Sequence, residues 1–177
     1  MENYMSKTTE NLKAAFAGES QARNMYTFFA KVARKEGYHY IANIFEETAM
    51  NEMRHANDHF KMLGGIGDTA ANLKEAMDGE NYETTSMYPT FAKEAEEEGN
   101  MEAAMLFTQI GKIEAEHRER YKKLLEMVQN GTVFTRKEPI KWKCSLCGYK
   151  YTGTEPPPKC PSCKHPKEYY EPANMDI

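Results

Sequence analysis

Glu52 and His55 stand three residues apart in NEMRH, and Glu114 and His117 repeat the pair in EAEHR. Residues so spaced project from one side of a helix, so each pair can offer a carboxylate oxygen and an imidazole nitrogen to one metal ion. Glu19, Glu80 and Glu83 interrupt other apolar stripes in the same way. Five carboxylates gathered in a helical core are untenable without cations, because burial penalises each charge. Two metal ions remove that conflict and also accept the neutral nitrogens of His55 and His117. A dimetal helical bundle asks for one Glu on each of two helices and Glu-x2-His on the other two. This chain has one carboxylate more than that pattern needs, since Glu80 and Glu83 fall on one helix. Oxygen-rich ligation with two imidazoles suits iron or manganese. Tyr26, two turns beyond Glu19, and Tyr88, beyond Glu83, either fill the core or donate a hydrogen bond to a metal-bound oxygen species. His59, one turn beyond His55, is a lesser candidate; His39 and His165 read as ordinary histidines.

A second site lies downstream. All four cysteines, Cys144, Cys147, Cys160 and Cys163, fall in two C-x2-C knuckles, and the 143 residues before them contain none. Disulfides of a secreted domain would be spread through the fold, whereas this spacing encloses a tetrahedral ion. Four thiolates leave no open position, so the ion is structural or redox-active. Spacing alone leaves zinc and iron both open. A dimetal site that reduces an oxygen species must be recharged, and that need favours iron as a one-electron source.

The elements that must position these groups follow from periodicity. Four long helices are expected at about 9–36, 38–63, 69–98 and 100–129, punctuated by Gly37, Gly64, Gly65, Gly67 and Gly99. Pro89 predicts a kink or break after Tyr88 in the third. The apolar stripes run through Leu12, Phe16, Glu19, Tyr26 and Phe29; through Ile41, Phe45, Glu52, His55 and Met62; through Leu73, Ala76, Glu80, Glu83 and Met87; and through Phe107, Ile110, Glu114, His117, Tyr121 and Leu124. The expected fold is an all-α four-helix bundle over residues 1–130, a linker at 131–139, and a small module of short β-strands around a metal at 140–177.

Composition narrows the function classes. The chain has 177 residues, is 40% hydrophobic and 28% charged, and carries a formal net charge of -4. That balance gives no electrostatic basis for binding nucleic acid or an anionic membrane. No run approaches the length of a membrane span and the first residues lack the apolar core of a secretory signal, which makes the cytoplasm the expected location.

Several segments resemble the rubrerythrin family. AFAGESQARNMY at 15–26, ETAMNEMRHA at 47–56, GENYETTSMYPTFA at 79–92 and KIEAEHRERY at 112–121 are similar to its diiron helices. KWKCSLCGYKYTG at 141–153 and CPSCKHP at 160–166 resemble its rubredoxin-like tail. The resemblance implies a ferritin-like bundle with a non-haem diiron site, bridged by Glu52 and Glu114. It implies Glu19 as a terminal ligand of the first iron, and Glu80 with His117 on the second. His55 and Glu83 match residues that exchange as ligand to the first iron, which gives the surplus carboxylate a purpose. Tyr26 and Tyr88 match hydroxyls lining the diiron pocket.

The implied activity is reduction of hydrogen peroxide to water, with electrons arriving through the four-cysteine iron. Glu19 or Glu83 is the candidate proton relay. The family also implies a head-to-tail homodimer in which one subunit's tail serves the other's diiron site. Reduced pyridine nucleotide would act only through a separate reductase or a rubredoxin, since the chain has no G-x-G-x-x-G element. Two rivals use the same residues: a ferroxidase oxidising incoming ferrous iron, and a non-enzymatic metal-storage protein with a structural zinc knuckle.

Overall fold

The computed structural model describes residues 6–174. The chain divides into two compact units, one ending at Gly67 and the other beginning at Asp68. In the first, α1 (Lys7–Lys35) and α2 (His39–Met62) form a helical hairpin. The Ser6 side chain caps α1 by accepting from Thr9 N–H. At the other end Gly37 takes φ +87°, Tyr38 N–H bonds Ala33 C=O at 2.8 Å and Gly37 N–H bonds Arg34 C=O at 3.2 Å. This paired closure satisfies carbonyls the helix leaves open and stops it one residue before the sequence expectation.

Alanines form the buried seam of the hairpin: Ala30 and Ala33 on α1, and Ala42, Ala49 and Ala56 at seven-residue intervals on α2. Small side chains bring the two backbones close. The larger residues of the expected stripes flank this seam, and Ile41 remains 46% exposed. Phe16 stacks on Phe60 at 4.7 Å between ring centroids, and Tyr26, Phe29 and Phe45 form a second aromatic group.

The second unit begins with α3 (Thr69–Tyr82), capped by Asp68, whose carboxylate accepts from Ala71 N–H at 2.9 Å. The long third helix expected from periodicity is broken, and the break precedes Tyr88 instead of following it. Residues Glu83–Met87 form a π-turn, closed by Tyr88 N–H donating to Glu83 C=O, and α4 runs from Tyr88 to Glu97. Pro89 sits in the first turn of α4, directly after the π-turn. Helix α5 (Met101–Gln129) is capped by Asn100. Both α3 and α4 pack on α5. Tyr88 and Phe91 lie against Phe107.

The cysteine module of this unit is a three-stranded antiparallel sheet, with β1 (Ile140–Cys144) between β2 (Lys150–Gly153) and β3 (Tyr170–Pro172). Register pairs Trp142 with Tyr151 on one side, and Cys144 with Tyr170 on the other. Trp142, Cys144, Cys160 and Tyr170 form its buried centre. The Trp142 ring donates Nε1–H to Gly153 C=O at 2.9 Å, and the Arg136 guanidinium lies 5.2 Å from its ring. Among the described residues no helix is long and apolar enough to cross a membrane.

Candidate metal centres

Among the described residues, each unit holds one three-residue cluster of the same composition. Glu19 on α1 meets Glu52 and His55 on α2, with one ligand atom from each within 4.8 Å of the others. His55 Nδ1 is 3.0 Å from Glu52 Oε2 and 3.7 Å from Glu19 Oε2. In the second unit, Glu80 on α3 meets Glu114 and His117 on α5 under the same limit. His117 Nδ1 is 2.6 Å from Glu114 Oε2 and 3.7 Å from Glu80 Oε1. Both arrangements combine a Glu-x2-His pair on one helix with a single carboxylate on its neighbour.

The clusters strain their own electrostatics. Glu19 is raised above the ordinary carboxylate range, first by its hydrogen bond with Glu52 and then by burial, while that bond lowers Glu52. Burial raises Glu80 most, followed by its hydrogen bond with Glu114. Glu80 Oε2 is buried with no hydrogen-bond partner. A buried carboxylate oxygen left unpaired beside a second carboxylate and an imidazole fits a cation, which satisfies all three at once.

Glu83 stands outside these three-residue clusters, although its charge raises both Glu80 and Tyr88. Tyr88 is raised first by burial and then by the charges of Glu83, Glu114 and Glu80, which places its hydroxyl in the field of the second cluster. In an uninterrupted α-helix, Tyr88 would lie about 140° around the axis from Glu83. The extra residue absorbed by the π-turn brings it back by about 100°, into the sector that the sequence stripe gave to Met87. Tyr26 is placed among Phe29 and Phe45.

Two supporting residues escaped the sequence reading. Arg118, beside His117, donates to Asn81, beside Glu80, at 3.3 Å and ties α5 to α3 at the level of the second cluster. Gly111 lies under Tyr88, where an added Cβ would come 3.1 Å from Tyr88 Cβ. A glycine inside a 29-residue helix was the available signal for the second. No pattern marked the first.

The four cysteines converge as their spacing predicts. Their sulfurs all lie within 4.8 Å of one another, with Cys144 to Cys163 at 3.7 Å and Cys147 to Cys160 at 3.6 Å, and none forms a disulfide. Each knuckle closes alike: Gly148 N–H bonds Cys144 C=O and Lys164 N–H bonds Cys160 C=O, both at 2.9 Å. The thiols are driven apart. For Cys160, burial acts upward but backbone N–H groups and Tyr170 outweigh it and bring the value down to about 6. Cys163 is pushed up to about 12: the backbone at His165 acts downward, and burial with the other three sulfurs overcomes it. Four sulfurs that cannot ionise together unaided are what a tetrahedral cation stabilises.

Comparison with known proteins agrees with this chemistry. The family model described as rubrerythrin matches residues 10–125, and that of the rubrerythrin rubredoxin-like domain matches residues 142–171. The chain is 52% identical over 180 residues to a rubrerythrin of Porphyromonas gingivalis, covering 94% of this chain and 90% of that one. It is 45% identical to a putative rubrerythrin of Methanocaldococcus jannaschii, covering 94% and 93%. It is 43% identical to a rubrerythrin of Nitratidesulfovibrio vulgaris, covering 94% of each.

Proposed function

The chain belongs to the rubrerythrin family, with ligands for two irons among its helices and for one among its cysteines, and from that premise we propose that it reduces hydrogen peroxide to water. The observation that carries this reading is the presence in one chain of two Glu/His clusters and a closed four-thiolate site. Ferroxidation delivers electrons to a diiron site and needs no internal donor. Peroxide reduction consumes them and does.

In this reading Glu19, Glu52 and His55 would hold one iron and Glu80, Glu114 and His117 the other, with Glu83 as a further carboxylate ligand. Ferrous ions held there would supply the two electrons needed to break the O–O bond and would stabilise the charge developing on oxygen. The residues do the rest. Tyr88, holding its proton because burial and three carboxylates oppose ionisation, donates a hydrogen bond toward the oxygen site. Tyr26 is proposed for the same task from the first unit. Glu19, raised above the ordinary carboxylate range by its hydrogen bond with Glu52, and Glu83 are the two candidate relays for a proton to the departing oxygen. An iron held by the four cysteines would return electrons one at a time, supplied by a rubredoxin or a reductase linked to NADH. We place the protein in the cytoplasm as a head-to-tail homodimer.

Anaerobic stopped-flow absorption tests this. Fully reduced, iron-loaded protein is mixed with stoichiometric hydrogen peroxide, and the diiron and thiolate bands are followed together. Rapid diiron oxidation followed by oxidation of the thiolate-bound iron is expected. Oxidation of the diiron bands with a silent cysteine site would indicate zinc there and overturn internal electron delivery. No fast reaction would favour the ferroxidase or storage role.

A further inference from the structure

The buried centre of the cysteine module contains a polar atom that the ligand set does not use. Tyr170 is 4% exposed, packs with Trp142, Cys144 and Cys160, and stands opposite Cys144 across the β1–β3 pairing. Its hydroxyl is buried and meets no acceptor at hydrogen-bond geometry. Leaving a hydroxyl so costs about 1–3 kcal/mol, a penalty that phenylalanine of the same shape avoids. The sulfurs of Cys144 and Cys160, in the same buried cluster, are the acceptors within its reach. A phenol keeps its proton at neutral pH. Tyr170 is therefore a donor, and the acceptors around it are metal-ligand sulfurs.

We propose that Tyr170 donates its hydroxyl proton in a hydrogen bond to the Cys160 thiolate of the iron-loaded centre and thereby tunes that centre's reduction potential. The inference rests on iron occupying the four cysteines and is independent of what oxidant the helical site reduces. Four thiolates around a ferric ion carry a net charge of minus one, and of minus two after one electron is accepted. The added charge spreads onto sulfur, so a fixed donor stabilises the reduced form more than the oxidised form. Tyr170 thus makes the centre easier to reduce. It is a positioning residue, acting on the iron through Cys160.

The test is a spectroelectrochemical titration of the full-length, iron-loaded protein without peroxide. Tyr170→Phe is expected to keep the iron and move the potential negative. Against a fixed reference couple the ferrous-to-ferric ratio should fall about tenfold, which is about 59 mV for one electron. Replacing Tyr170 with a difluorotyrosine, a stronger donor of nearly the same shape, should move it in the positive direction. Potentials unchanged in both variants would overturn the proposal and leave Tyr170 as core filling. If Tyr170→Phe fails to hold iron, the fluorinated protein decides alone: a positive shift supports the hydrogen bond, and no shift refutes it. Because no peroxide is present, a protein without peroxidase activity would still give the expected shifts.

Discussion

Gly111 and Tyr88 are fitted to one another: a Cβ on Gly111 would stand 3.1 Å from the Cβ of Tyr88. Tyr88 is the residue at which the π-turn of Glu83–Met87 closes. The missing side chain on α5 and the extra residue before α4 thus act on the same phenol, one admitting it and the other rotating it toward Glu80, Glu83 and Glu114.

Glycine inside an exposed helix ordinarily costs about 0.5–1 kcal/mol relative to alanine. Gly111→Ala should fail to recover that gain and instead destabilise the metal-free protein by about 1 kcal/mol, because the methyl displaces Tyr88. With both irons bound, the rate of the peroxide reaction should fall about tenfold, as it should for Tyr88→Phe. Urea unfolding and stopped-flow rates check the two parts. A stabilised Gly111→Ala protein with an unchanged rate would show that the close approach has no role.

Glu80 sets a pH dependence in the metal-free protein. Its folded-state pKa is raised above the ordinary 4.5, so the folded state binds that proton more tightly than the unfolded chain. The resulting stability is present below about 4.5 and is lost as pH climbs through the raised value. Glu80→Gln keeps the shape and removes the titration. Its melting temperature relative to the parent should therefore increase as pH rises across that window, while its affinity for iron falls. Thermal unfolding at several pH values, beside iron content after reconstitution, measures both. A difference in melting temperature that shrinks with rising pH would refute the assignment.

Lys164 occupies the left-handed region at φ 64°, at the place where the other knuckle has Gly148 at φ 76°. A residue with a Cβ is strained there by roughly 1–2 kcal/mol. Lys164→Gly relieves this, against the loss of the Lys164 Nζ bond to Pro161 C=O at 2.7 Å and the greater freedom of unfolded glycine. A net gain of about 0.5 kcal/mol is expected in denaturant unfolding of the iron-loaded protein. A net loss would mean that the lysine's hydrogen bond outweighs the backbone strain.

The residue types that cluster and the helices that carry them were legible because coordination demands particular atoms at particular intervals. Glu-x2-His needs only a helix to bring its two groups together, and C-x2-C needs only a tight turn. Glu19 and Glu80 were also legible, as carboxylates in stripes where burial would otherwise exclude them. The break before Tyr88 was misplaced because Pro89 identifies an interruption without saying how the preceding backbone absorbs it. The seam of Ala42, Ala49 and Ala56 was passed over since a hydrophobicity stripe favours the large residues, while close helix packing favours the small.

What the sequence determined by itself was chemistry carried by local spacing: two Glu-x2-His pairs, two cysteine knuckles and the helices and turns that present them. Tertiary structure alone decided which lone carboxylate each pair meets, how Tyr88 turns toward Glu80 and Glu114, and why Gly111 must be small. It also packed Tyr170 into one buried cluster with Cys160, ten residues away in the chain and adjacent through the fold. Such relationships depend on the separation and register of packed backbones, and no short-range periodicity encodes them.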